Sequence, residues 1–182
     1  MSTELRALRD NPFDLLAQLE DRLRTARMDF AAGQQESWTG LGFRLGGDWM
    51  VAPREEVKEV IVPPTLTRVP RTRPWFTGVA NVRGNLLPVV DLLQLIGAGT
   101  HAPGDRARVL VLNSEQVPVG FLVDEVAGYR QFVPGDQRHE LIDGAGPAQP
   151  YLLGAFERDG RAWRAFSLQK VAQSDGFKLA GY

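Results

Sequence analysis

The sequence predicts a mainly β protein of small antiparallel barrels or a sandwich, with short helices and one N-terminal amphipathic helix. Short apolar runs recur along most of the chain, separated by Gly-containing turns, as expected for strands joined in hairpins. No segment between those runs has the length or spacing of the crossover helix that a parallel sheet needs, so a doubly wound fold is disfavoured. The one sustained alternation of three- and four-residue apolar spacing lies before Gly33.

Residues 1–36 are therefore expected to form a helical extension. Asn11 can cap, Pro12 suits the first helical position, and Asp14 favours the positive end of a helix running to about residue 32. Leu16, Leu19, Leu23, Ala26 and Phe30 form its apolar stripe. Two heptads are too few for a coiled coil. The stripe reads first as a face docked on the protein's own body, and second as a partner-binding helix. From Trp38 onward, strands are expected at Gly40–Leu45 and Trp49–Ala52 around Gly46-Gly47, and at 79–83 and 86–90 around Gly84-Asn85. Further strands are expected at 108–112, 117–123, 125–132, 152–157 and 162–167, the last two joined by Asp159-Gly160. Short helices are expected at 54–60, 74–78 and 91–96, the last capped by Asp91 and stopped by Gly97. Pro88 lacks a ladder donor, so its strand should lie at an edge or carry a bulge. Residues 136–149 read as a polar loop.

The 182 residues are 43% hydrophobic and 24% charged, near the usual values of about 45–50% and 25%, enough for one domain or two small ones sharing a core. Twenty-one Lys and Arg against 22 Asp and Glu leave a net charge of -1, without a global field for nucleic acid or anionic lipid. Lys58, Lys170 and Lys178 are the only lysines, a skew toward Arg read as compositional. No apolar run reaches the ~18 residues of a membrane span. The N-terminus also lacks the pattern of a signal peptide, so a cytoplasmic protein without membrane insertion is expected.

The absence of Cys removes disulfides, thiol nucleophiles, Fe–S clusters and Cys-based zinc sites. His101 and His139 lie in loops, read as surface positions, and form no metal-binding pattern. There is no nucleophile elbow, P-loop or dinucleotide fingerprint. Asp124 and Glu125 point to opposite faces of a strand and read as solvated strand-end charges. Arg68, Arg71 and Arg73 with Trp75 and Phe76 could line a nucleic-acid groove. Residues 54–83 hold six basic and three acidic side chains, a net of +3, against the roughly six to ten phosphate contacts of a duplex binder. Neither an enzyme, a cofactor, a metal nor a nucleic-acid partner is expected.

The segment 74–92, PWFTGVANVRGNLLPVVDL, places a charged Arg83 before a turn Gly in an otherwise apolar hairpin. A buried Arg needs a carboxylate partner, and Glu59 in Val57-Lys58-Glu59-Val60 is the candidate. The pair would either fix the hairpin or anchor an apolar protein-binding groove.

Residues Gly78 to Leu92 match, without a gap, the form G-x-x-N-x-R-G-x-x-x-P-V-x-D-L, and thereby resemble the CheW family of chemotaxis adaptors. Trp49–Pro53 with 57–60 resembles the family's opening strand and V-x-E-[VI] helix, and 119–126 resembles its later V-G-x-x-V-D-x-V strand. The resemblance covers about residues 38–174. It is greatest to members serving type IV pilus twitching motility, through Pro12 to Leu16, the Gly-Val-Ala-Asn-Val-Arg-Gly form, and the tail from Ala165 to Phe177. Leu93 stands where many flagellar-type members carry Arg.

The resemblance implies two packed SH3-like five-stranded β-barrels over residues 37–175, with a tail at 176–182, no catalysis and no cofactor. It also implies a scaffold joining a chemoreceptor's cytoplasmic tip to the regulatory domain of a CheA-type histidine kinase. Glu59 and Arg83 match residues that in the family pair near the receptor-binding groove between the barrels. Val57, Val60 and Val82 would line that groove or belong to the core. Gly78, Asn81, Gly84, Pro88 and Asp91 are expected to shape the hairpin and its turns. The alternative is a docking module of the pilus, or of another chemosensory system, without receptor contact.

Overall fold

The computed structural model describes residues 37–101 and 104–178, so the helix expected at 11–32 lies outside the described residues. The strands are β1 (Trp38–Leu45), β2 (Asp48–Pro53), β3 (Val57–Ile61), β4 (Phe76–Val82), β5 (Asn85–Asp91), β6 (Arg108–Leu112), β7 (Gly120–Val123), β8 (Glu125–Phe132), β9 (Leu152–Arg158) and β10 (Arg161–Phe166). They form two five-stranded sheets, ordered β8-β1-β2-β10-β9 and β3-β6-β7-β5-β4. Each sheet has three antiparallel pairings and one parallel pairing, β2 with β10 and β7 with β5, at the same place in the order. The second sheet is a continuous insert between β2 and β8 of the first.

Alternation along the strands explains how both faces are used. On β6, Leu110 and Leu112 enter a core cluster shared by the two sheets, while Val109 and Val111 enter a cluster belonging to the second sheet alone. On β2, Met50 and Ala52 enter the shared core and Val51 an aromatic cluster of the first sheet. Each sheet curls around its own cluster. In the first, edges β8 and β9 meet where Phe132 stacks on Phe156 at 4.5 Å, and Arg158 donates to the Gln131 carbonyl.

Two-residue turns close the hairpins. Arg83-Gly84 has φ of 52° and 86°, and Asp159-Gly160 has φ of 53° and 69°, the all-positive form whose twist suits paired strands. The first of these lies one residue earlier than Gly84-Asn85, because Asn85 already pairs with Val82. Asp91 caps helix α1 (Leu92–Leu95) through its Oδ1, which accepts from the Gln94 N–H at 3.1 Å.

Two expected helices are corrected. Residues 54–60 make only a 3-10 turn at Arg54–Glu56 before entering β3, where β-branched Val57, Val60 and Ile61 pair with β6. Residues 74–78 hold a turn followed by β4, whose Thr77 and Val79 favour the extended form. Pro88 lies on β5, inside the sheet rather than at its edge. It is tolerated because pairing with β7 begins only at Val89, leaving position 88 with one strand neighbour.

Helix α2 (Leu168–Gln173) follows β10, and helix α3 (Asp175–Lys178) lays Phe177 against Trp75, with ring centroids 6.0 Å apart. No helix among the described residues is long and apolar enough to cross a membrane.

Candidate functional site

The second sheet has β3 and β4 as its edges. Glu59 on β3 meets Arg83, just past β4, with Oε2 2.9 Å from the guanidinium. One ion pair thus spans the gap between two edge strands. The Arg83 side chain is 76% exposed and that of Glu59 23%, so burial cost does not explain the pairing. At such exposure the bond adds roughly 0–1 kcal/mol, and its importance is positional.

Beside the pair runs a groove whose lining includes Glu59, Val82, Arg83, Leu86, Val111 and Pro118. Leu86 is 71% exposed, an apolar side chain presented at the hairpin tip that sequence reasoning missed. Its signal was available: in a strand of period two, Leu87 turned to the core forces Leu86 outward. Of the three valines named beside Glu59, only Val82 lines the groove. Val57 is buried in the shared core, and Val60 is exposed on β3 outside the lining.

The hairpin residues have separate structural duties. A side chain at Gly78 would bring its Cβ within 2.6 Å of the Thr67 carbonyl oxygen, at a φ of +148°. Thr67 is there because it bridges to Val79. The Asn81 Oδ1 accepts from the Gly84 N–H at 2.9 Å and braces the turn that presents Arg83.

Buried polar contacts correct the reading of several loop residues. His101 is not a surface residue: its side chain is 1% exposed and its Nδ1 lies 3.0 Å from Asp124 Oδ1. Its backbone N–H donates to Asp91 Oδ2 at 2.9 Å, and Asp124 Oδ2 accepts from the Gly46 N–H. This chain of contacts ties the second sheet to the β1–β2 hairpin of the first. Glu125 likewise pairs with Arg44 at 2.8 Å and Arg106 at 3.4 Å, so the two adjacent acids are not merely solvated. His139 is exposed. Buried Glu56, which sequence reasoning passed over, accepts from the Ser167 hydroxyl at 2.8 Å and the Leu168 N–H at 2.7 Å, closing the N-terminus of α2. Among the described residues no group of three or more His, Asp or Glu side chains is arranged to hold a metal ion.

The CheW-like domain family model matches residues 39–176. The chain belongs to this CheW-like family. Protein PilI of Pseudomonas aeruginosa is 39% identical to it, over 91% of this chain and 94% of that protein. That alignment spans 168 residues, more than lie between residue 39 and the C-terminus, so it reaches into the N-terminal extension. Protein FrzA of Myxococcus xanthus is 34% identical over 65% of this chain and 73% of its own length. The chemotaxis protein CheW of Thermotoga maritima is 32% identical over 73% and 86%. In fold, the CheW-like chain is similar to the crystal structure of the scaffolding protein TtCheW from Thermoanaerobacter tengcongensis. The TM-score is 0.65 at 19% identity, covering 78% of this chain and 96% of that one.

Proposed function

We propose that this CheW-like protein is a non-catalytic cytoplasmic scaffold that couples the cytoplasmic tip of a chemoreceptor to a CheA-type histidine kinase. The pathway is a chemosensory one controlling type IV pilus twitching motility. The observation that carries this reading is the Glu59–Arg83 pair at the rim of an apolar groove, on a chain 39% identical to PilI along nearly its whole length. Val82 and Leu86 offer apolar surface to one face of a receptor helix, and the guanidinium of Arg83 sits where a polar group of that helix would meet it. Arg83 serves as a placed charge, since a side chain this exposed remains available to a partner while touching Glu59.

The test is binding of a receptor-tip fragment and of a kinase regulatory domain to purified protein. Arg83→Glu sets two carboxylates against each other and removes the anchor. It is expected to weaken receptor-tip binding about tenfold or more, while the thermal melt stays cooperative and kinase binding persists. Unchanged receptor binding by a folded Arg83→Glu protein would sink the assignment of this groove. Kinase binding with no receptor binding in the wild type would favour a docking module without receptor contact.

A further inference from the structure

The first sheet has a groove of its own at the seam where its edges close, lined by Tyr129, Arg130, Gln131, Arg158, Asp159, Arg161 and Trp163. The groove is cationic over an aromatic floor. The guanidinium of Arg130 lies 5.5 Å from the Trp163 ring, and that of Arg161 lies 4.9 Å from Trp49 and 5.8 Å from Trp163. Arg158 is paired with Asp136, but among the described residues no carboxylate pairs with Arg130 or Arg161. Two guanidiniums held over indole rings, neither ion-paired although Asp159 lines the same groove, can receive further carboxylates.

We propose that the occupant is the protein's own N-terminal extension, residues 1–36, with Asp29 and Glu36 meeting Arg130 and Arg161. The extension enters at this groove: Ser37 Oγ accepts from the side chain of Gln131, one of the lining residues. Its charge is complementary. Residues 29–36, DFAAGQQE, carry two acids and no basic side chain. Eight residues reach at most about 26–29 Å when extended, so the segment is tethered close to the groove by Ser37. Tethering also raises the local concentration of the segment to roughly the millimolar range, so weak charge pairing suffices. The apolar stripe from Leu16 to Phe30 would then cover exposed Tyr129 and Val133 at the same seam. The proposal is independent of the receptor and kinase assignment, because it is read on the isolated chain.

The lack of Cys lets a nitroxide be attached at a single introduced position, Ala31→Cys, in the full-length 15N-labelled protein. Paramagnetic broadening is expected at amides of 129–132 and 161–163. It should weaken in Asp29→Lys/Glu36→Lys, which leaves the barrel untouched, and should be restored when Arg130→Glu/Arg161→Glu is added to that variant. Broadening at another surface, or none, would overturn the proposal. So would broadening undiminished by the charge reversal, or broadening that appears only when labelled chains are mixed with separate 15N chains.

Discussion

At the scale of single residues, the hairpin signature divides into side chains that hold shape and side chains that face outward. Gly78→Ala is expected to cost about 1–3 kcal/mol, because the added methyl meets a backbone oxygen at 2.6 Å where φ is +148°. A urea melt checks it. Arg83→Ala, by contrast, should change the melt by less than about 1 kcal/mol, since the pair it breaks is exposed. Glu56→Ala should cost about 1–3 kcal/mol, leaving the Ser167 hydroxyl and the Leu168 N–H without their buried acceptor. Arg83 and Glu59 could be named as partners from the sequence, because a lone Arg in an apolar hairpin calls for an acid and Glu59 lies in the 57–60 segment that precedes it. Glu56 could not, because its partners Ser167 and Leu168 lie more than a hundred residues away. His101 was misjudged for the same reason: a loop sequence rich in Gly looks exposed until Asp91 and Asp124 fold over it.

At the scale of elements, local pattern was readable wherever period-two alternation or a Gly turn marked it. Arg108–Leu112 and Glu125–Phe132 match their expected bounds, and Asp91 caps the helix expected of it. The errors at 54–60 and 74–78 arose where a Pro followed by a few residues imitates a helix start and strand pairing overrides that signal. The pairing partner of β3 is β6, with Val57 opposite Leu112, a distance along the chain that no window detects. The two turns with all-positive φ make a clean comparison. Asp159→Asn places the Asn-Gly sequence preferred by this turn at φ 53°, and should leave stability unchanged or raise it by a few tenths of a kcal/mol, read by thermal melt. The turn at Arg83-Gly84 holds Arg at a similar positive φ of 52°, a conformation that favours Asn or Gly over Arg.

At the scale of the molecule, the two sheets share the succession of pairing directions and a core cluster contributed by both. The shared cluster and the contact chain from Asp91 through His101 and Asp124 to Gly46 couple them. Unfolding is therefore expected as one cooperative transition, checked by coincident fluorescence and far-UV circular dichroism melts. Separate transitions would show that the sheets are independent. The order of the strands also sets a schedule for biosynthesis. Strands β3 to β7 find every sheet partner among themselves, whereas β1 waits for β8 and β2 for β10. On the ribosome the middle of the chain can close while the β1–β2 hairpin still lacks its outer partners. Pulse-labelled hydrogen exchange during refolding should accordingly protect amides of β6 and β7 before those of β1. Earlier protection of β1 would contradict the schedule. Until β8 and then the final hairpin emerge, the nascent protein holds a β1–β2 hairpin with both outer edges open, and their exposure to wrong partners ends only when the last third of the sequence arrives.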